Sequence, residues 1–178
     1  MAIERVAIVG LGLLGGSVGL AIAECLPGVT TTGYDADPEV RRRAAERGLA
    51  GTVCDTPAEA VRDADLVLFC VPVGAMEAAA RACAEALPPA AIVSDVGSSK
   101  AAVGEALARA LPGRRVIPAH PVAGTERSGP DAGFASLFRQ RWCILTPPAD
   151  ADPAAVDALG RFWEALGARV EIMEAAHH

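Results

Sequence analysis

No basic stripe, no Cys-x-x-Cys pair, no internal repeat and no low-complexity tract occurs in this 178-residue sequence. Each absence removes a class of protein. Lys and Arg number 16 against 22 Asp and Glu, a formal charge of −6 with a pI near 5.1. Such a surface is not built to neutralise a phosphodiester backbone, so nucleic acid is not an expected partner. Cys25, Cys54, Cys70, Cys83 and Cys143 are odd in number and widely spaced, which fits reduced thiols in a cytoplasm and gives no metal site. Aromatic residues are scarce at 4%, yet 52% of the chain is hydrophobic. That reads as one ordinary soluble domain, neither disordered nor dependent on disulfides.

Charge is also missing from residues 6–23, a run of 18 that is about the minimum for a membrane span. The glycines at 10, 12, 15 and 16 bunch together there instead of spreading along a helix, where each would cost about 1 kcal/mol relative to alanine. A buried strand, a glycine turn and a helix explain the bunching; a membrane span does not. Glu4 stands where a signal peptide would need positive charge.

What is present alternates short aliphatic runs with alanine-rich helical stretches. Strands are expected over 5–9, 30–34, 65–71, 91–94, 115–119, 142–146 and 169–172. The expected fold class is α/β, a Rossmann-type doubly wound, mostly parallel sheet with helices on both faces. Met76, Ala79, Ala80, Cys83 and Leu87 fall on one helical stripe, as do Val156, Leu159, Phe162, Trp163 and Leu166, and both stripes read as core. Pro38, Pro57 and Pro153 stand where helices begin; Gly28, Gly48, Gly113 and Gly167 stand after they end. Residues 122–139 lack a period, and loops of that length are functional or mobile when they are not solvated surface excursions.

The sequence Gly10-Leu11-Gly12-Leu13-Leu14-Gly15 follows a strand and opens a helix. In a G-x-G-x-x-G turn of this kind the first glycine permits the reversal, the second lets the backbone approach a pyrophosphate, and the third lets helix and strand pack closely. Gly10, Gly12 and Gly15, with Leu13 and Leu14 at the helix start, are the expected dinucleotide contacts. Asp35, twenty residues past Gly15, ends the next strand and is placed to accept hydrogen bonds from an adenosine ribose. A carboxylate there repels a 2′-phosphate and position 36 is alanine, which favours NAD over NADP. Arg41, Arg42 and Arg43 read as a solvated helix face. Val71 and Pro72, leaving the sheet at its carboxyl edge, are expected cofactor walls, and Cys70 beside them reads as a buried hydrophobe. A hydride-transferring enzyme needs a base near pH 7, and His120 follows directly on the 115–119 strand.

His120-Pro121-Val122-Ala123-Gly124-Thr125-Glu126, together with Asp95-Val96-Gly97-Ser98-Ser99-Lys100 and the glycine turn with Asp35, resembles the nucleotide-binding half of prephenate dehydrogenase and its arogenate-using relatives. The resemblance covers essentially the whole chain. It implies an NAD-dependent oxidative decarboxylation of prephenate to 4-hydroxyphenylpyruvate in tyrosine biosynthesis, or the matching reaction of arogenate. His120 is then the catalytic base and Ser98 the active-site serine that orients histidine, nicotinamide and substrate. Thr125 and Glu126 match residues lining the substrate side. The family's nucleotide domain corresponds to residues 1–173, and 174–178 to the start of a linker or the stub of a tag. The resemblance also implies a helical domain, beyond these residues, that makes the homodimer and completes the substrate pocket. A non-catalytic NAD(H)-sensing domain is one alternative reading, and another small Rossmann oxidoreductase, such as a hydroxyacid dehydrogenase or imine reductase, is the other.

Overall fold

In the computed structural model, which describes residues 2–175, 177 and 178, the elements follow in this order. They are β1 (Arg5–Val9), α1 (Leu13–Cys25), β2 (Thr30–Tyr34), α2 (Pro38–Arg47), β3 (Thr52–Val53), α3 (Pro57–Val61), β4 (Leu66–Phe69), α4 (Met76–Cys83), β5 (Ile92–Asp95), α5 (Lys100–Ala110), β6 (Arg115–Val116), β7 (Ala119–Pro121), β8 (Trp142–Leu145), α6 (Pro153–Ala165) and β9 (Arg169–Ile172). Six strands form one sheet in the order β3-β2-β1-β4-β5-β6, every pair parallel. This is the order of a doubly wound dinucleotide-binding sheet.

Strand periodicity assigns the two faces. Val6 and Ile8 of β1 and Leu66 and Leu68 of β4 turn to one side, where α1 and α6 bring Val18, Ile22, Phe162 and Trp163. Ala7 and Val9, with Val67 and Phe69, turn to the other, against Met76, Ala80 and Cys83 of α4 and Val103 and Leu107 of α5. Helices therefore cover both faces, as expected for central strands read as unbroken apolar runs. Each fully buried Val, Leu or Ile contributes about 1.5–3 kcal/mol over an exposed one.

The uncharged run at 6–23 is β1, the glycine turn and the thirteen-residue α1. Among the described residues no helix is long and apolar enough to cross a membrane. Helix punctuation follows the sequence: Pro38, Pro57 and Pro153 open α2, α3 and α6, and Gly48 closes α2 in the left-handed region at φ 63°.

Two expectations need correction. The strand expected over 115–119 breaks after Val116. Pro118 has no N–H to give, and its carbonyl instead accepts from Thr146 (2.9 Å), so the chain crosses into a second, three-stranded sheet β7-β8-β9. His120 lies within β7, paired antiparallel with Ile144, rather than just past the end of a strand of the large sheet. The second concerns 122–139, which is not a solvated excursion along its whole length. Leu137 and Phe138 are buried, the Phe134 amide donates to Ser17 Oγ (3.0 Å), and Arg47 donates to the carbonyls of Pro130 and Gly133. This end of the segment is fastened to α1 and α2; its first half, from Val122, stays exposed apart from Ala123.

Candidate functional site

At the carboxyl edge of β1, β2 and β4 the chain leaves a cleft of about 480 Å³, bordered by Gly10, Gly12, Tyr34, Asp35, Val71 and Pro72. Five of these six were expected from sequence; Tyr34 was not. The far wall is built of small residues on α4, including Ala78, Ala79 and Ala82. Ala79 thus serves the cleft as well as the core, a correction to the purely internal stripe. Gly15, Leu13 and Leu14 do not border the cleft; Gly15 is buried and the two leucines pack on the core.

The glycines divide the work. Gly10 turns the chain at φ 99°, with the carbonyl of Cys70 where a Cβ would go. A Cβ on Gly15 would overlap the carbonyl oxygen of Gly10, which is why the helix can start so close to the turn. A Cβ on Gly12 would meet nothing within 4 Å, because it would point into the open cleft. That open space is a cradle shaped for a ligand's approach to backbone. Beside it α1 begins with no side-chain cap and no acid in its first turn, whereas α2, α3 and α6 are capped by Asp37, Thr56 and Asp152. Uncapped N–H groups and the positive end of the helix dipole suit an anion.

Asp35 does two jobs. One carboxylate oxygen accepts from the Leu11 amide (2.8 Å) inside the glycine turn and the other from the Asp37 amide (3.0 Å). Each oxygen keeps a lone pair for a ligand hydroxyl. Arg41 departs from the solvated face expected for it: its guanidinium folds back over the Tyr34 ring and donates to the Asp35 carbonyl (2.8 Å). Arg42 and Arg43 do point outward, paired with Glu39, Glu46 and Asp131. Cys70 is half-buried in the cleft wall instead of fully buried as expected, and desolvation raises its thiol well above the ordinary range, which disfavours a nucleophilic role.

Ser98 is exposed on the turn between β5 and α5. His120 stands on β7, partly buried, with Nδ1 2.8 Å from Nε2 of His178. Burial first, then the charges of His178 and Lys100, hold the His120 imidazole below its ordinary value, so it is neutral at pH 7. Thr125 and Glu126 are exposed and border a separate, shallow depression with Arg127, Ala132 and Phe134. Between Ser98 and His120 lies a feature to which the sequence reading gave no role, the buried pair Asp95 and Lys100. Its only signal in the sequence was an acid and a lysine flanking the Gly-Ser turn.

A six-stranded parallel sheet of this order, with a glycine turn, an uncapped helix start and an acid at the end of β2, defines a dinucleotide-binding α/β domain. The family described as "Prephenate dehydrogenase, nucleotide-binding domain" matches residues 18–172, and the chain belongs to that family. It is 45% identical to the cyclohexadienyl dehydrogenase of Zymomonas mobilis over 98% of this chain and 60% of that protein. In structure it is similar to prephenate dehydrogenase from A. aeolicus in complex with hydroxyphenyl propionate and NAD+, with a TM-score of 0.91 and 29% identity over 100% of this chain and 62% of that one. It is also similar to the Synechocystis arogenate dehydrogenase, with a TM-score of 0.90 and 28% identity over 98% of this chain and 61% of that one. The chain thus spans about three fifths of the length of these relatives.

Proposed function

We propose that this domain binds NAD in the Gly10–Asp35 cleft and takes part in the oxidative decarboxylation of prephenate to 4-hydroxyphenylpyruvate in a reducing cytoplasm. The observation that carries the reading is the open cradle over Gly12 on the sheet edge where β5 runs into the Ser98 turn, whose Asp95 also holds Ala119 next to His120. Gly10, Gly12 and the start of α1 hold the pyrophosphate, Asp35 the adenosine ribose, and Val71 and Pro72 wall the cofactor. When bound, NAD supplies the hydride acceptor. His120, neutral and with Nδ1 turned to His178, offers Nε2 to the substrate hydroxyl and takes its proton as the carbon's hydride departs. The bond to the ring carboxylate then breaks and carbon dioxide leaves, its electron pair aromatises the ring, and the ring oxygen takes back the proton that His120 holds. Ser98, Thr125 and Glu126 are assigned to substrate and nicotinamide. The homodimer and the rest of the substrate pocket are assigned to the helical domain that the family resemblance implies beyond this one.

The deciding experiment mixes the chain with prephenate and NAD and follows the near-ultraviolet absorbance of NADH against a control without prephenate. Prephenate-dependent NADH, from the chain alone or with the helical half added in trans, is the expected result. Turnover with arogenate only would move the substrate assignment to the amino compound. NAD binding with no turnover of either would favour the NAD(H)-sensing alternative.

Asp35 gives a second check. Asp35→Ser removes the carboxylate from the ribose and frees the Leu11 amide. It is expected to weaken NAD by about tenfold and to narrow the preference over NADP by more than that, because the repulsion of a 2′-phosphate goes too. Equilibrium titration with both dinucleotides reads it; an unchanged NAD/NADP ratio would remove Asp35 from the specificity argument.

A further inference from the structure

Lys100 is the only lysine in the chain; every other cation among its Lys and Arg residues is arginine. It is also fully buried, and so is its partner Asp95. Removing two opposite charges from water is costly, and such pairs persist in cores where every donor and acceptor is used. Here they are used. Lys100 Nζ donates to Asp95 Oδ2 (2.5 Å) and to the carbonyl of Ala119 (2.5 Å). Asp95 Oδ1 accepts the amide of Ala119 (3.2 Å), and Oδ2 accepts the amide of Gly97 (2.7 Å). Three donors on the carboxylate favour its ionised form, against the burial that raises Asp95 and lowers Lys100.

The position of Ala119 explains why a charged pair is needed. In β7, Ala119 faces Leu145 at a site whose own N–H and C=O point away from β8, while its neighbour His120 pairs with Ile144. The chain is crossing between two sheets, so the backbone groups of Ala119 meet no strand on their other side. Buried without partners, they would each cost a hydrogen bond or more. Asp95 satisfies the N–H and Lys100 the C=O, so the pair acts as a side-chain strand against the residue preceding His120. Through Gly97 the same carboxylate fixes the turn that carries Ser98, and a Cβ on Gly97 would press on Asp95 Oδ2 at 3.1 Å.

The geometry points to Asp95 and Lys100 as positioning residues that lock the Ser98 turn and the His120 strand into one rigid unit for the proposed reaction. This rests on the function proposed for the site. The groups that face His120 are Lys100 from the start of α5 and His178 from the chain end, with Asp95 behind Ala119 on β5. Arginine would not serve at position 100, since its planar fork is too large for a site where a compact ammonium bonds two oxygens.

The test uses Lys100→Met and the doubly neutral Asp95→Asn/Lys100→Met, which removes both charges together and leaves no unpaired ion. Nuclear magnetic resonance of the histidine ring protons reads His120 directly, because the chain has three histidines and His120→Asn assigns the signal. The expected result is a displaced His120 ring resonance at a pH where the ring is neutral, and an upward move of its titration midpoint as the Lys100 charge is lost. In the chain or reconstituted enzyme that turns over, kcat measured above that midpoint is expected to fall at least about tenfold with the NAD dissociation constant held within about twofold. There the protonation state is the same in both proteins, so the loss reports geometry. Folded variants with an unchanged His120 resonance and midpoint would overturn the assignment. So would failure of both variants to fold, which would make the pair a structural joint only. The resonance readout needs no substrate, so it stands or falls separately from the prephenate assay.

Discussion

Replacing His120 with asparagine is expected to lower prephenate-dependent NADH formation by at least about a hundredfold while leaving NAD affinity within about twofold. Asparagine keeps a polar, planar side chain of similar reach on β7 and keeps the strand pairing with Ile144, which is made by backbone. What it loses is the ring nitrogen that takes a proton near neutrality. His120 does not border the cleft proposed for the dinucleotide, so binding there should not register the change. The pH dependence has a definite sign. The imidazole is held below its ordinary value in the folded protein, so between that lowered value and about 6.5 the unfolded chain binds more protons than the folded one. This group therefore favours the folded state above about 6.5, and that contribution is lost as pH falls through the window. Activity should likewise fall on the acid side at a pH below the usual histidine range, and the asparagine variant should lose that acid limb in stability. Equal losses in turnover and NAD binding would instead assign His120 to the fold of the site. A variant keeping a tenth or more of the activity would remove it as the base.

The elements that were legible in the sequence share one property: their requirement is local. Gly10, Gly12 and Gly15 are dictated by a turn six residues long, Asp35 by the end of the adjacent strand, and the proline starts of α2, α3 and α6 by their own first turns. Interactions spanning many residues were not legible. The strand expected to run to Ala119 breaks because Pro118 meets Thr146, 28 residues on, and Ala119 meets Asp95, 24 residues back. Arg41 was read with its neighbours as solvated, but a stretch of three arginines carries no mark of which one finds Tyr34 and a carbonyl. Strand β3, two residues long, has too few positions to show a period. The loop at 122–139 offered glycines but no hint that Gly133 packs on the backbone of Gly16 and Ser17. Ser98 and His120 were visible as types and positions, whereas the ion pair that reaches Ala119 across 19 and 24 residues of chain was visible only in three dimensions.

Gly12→Ala and Gly15→Ala are expected to separate ligand recognition from packing within one motif. Gly12 has φ −76°, outside the left-handed region that favours glycine, and an added methyl meets no protein atom within 4 Å. Its stability should therefore stay within about 0.5 kcal/mol of the parent, or rise slightly because the unfolded chain loses freedom. The same methyl stands in the cradle where backbone and pyrophosphate must approach, so NAD affinity should drop at least about tenfold. Gly15 is the reverse case. Its methyl would overlap the carbonyl of Gly10 with the Ile8 side chain close behind, so α1 must move off the turn or the turn must open. Overpacking of this kind costs about 1–3 kcal/mol, and more when backbone is the obstacle. In a chain of this length that is a fall in melting temperature of roughly 2–12 °C, with weaker dinucleotide binding following from a displaced helix start. Thermal denaturation with and without NAD distinguishes the two. Gly12→Ala should melt with the parent in buffer and gain less from the ligand, and Gly15→Ala should already melt early in buffer. A Gly12→Ala protein that binds NAD as the parent does would mean that the pyrophosphate does not pass over this turn, and the cofactor assignment would fall with it.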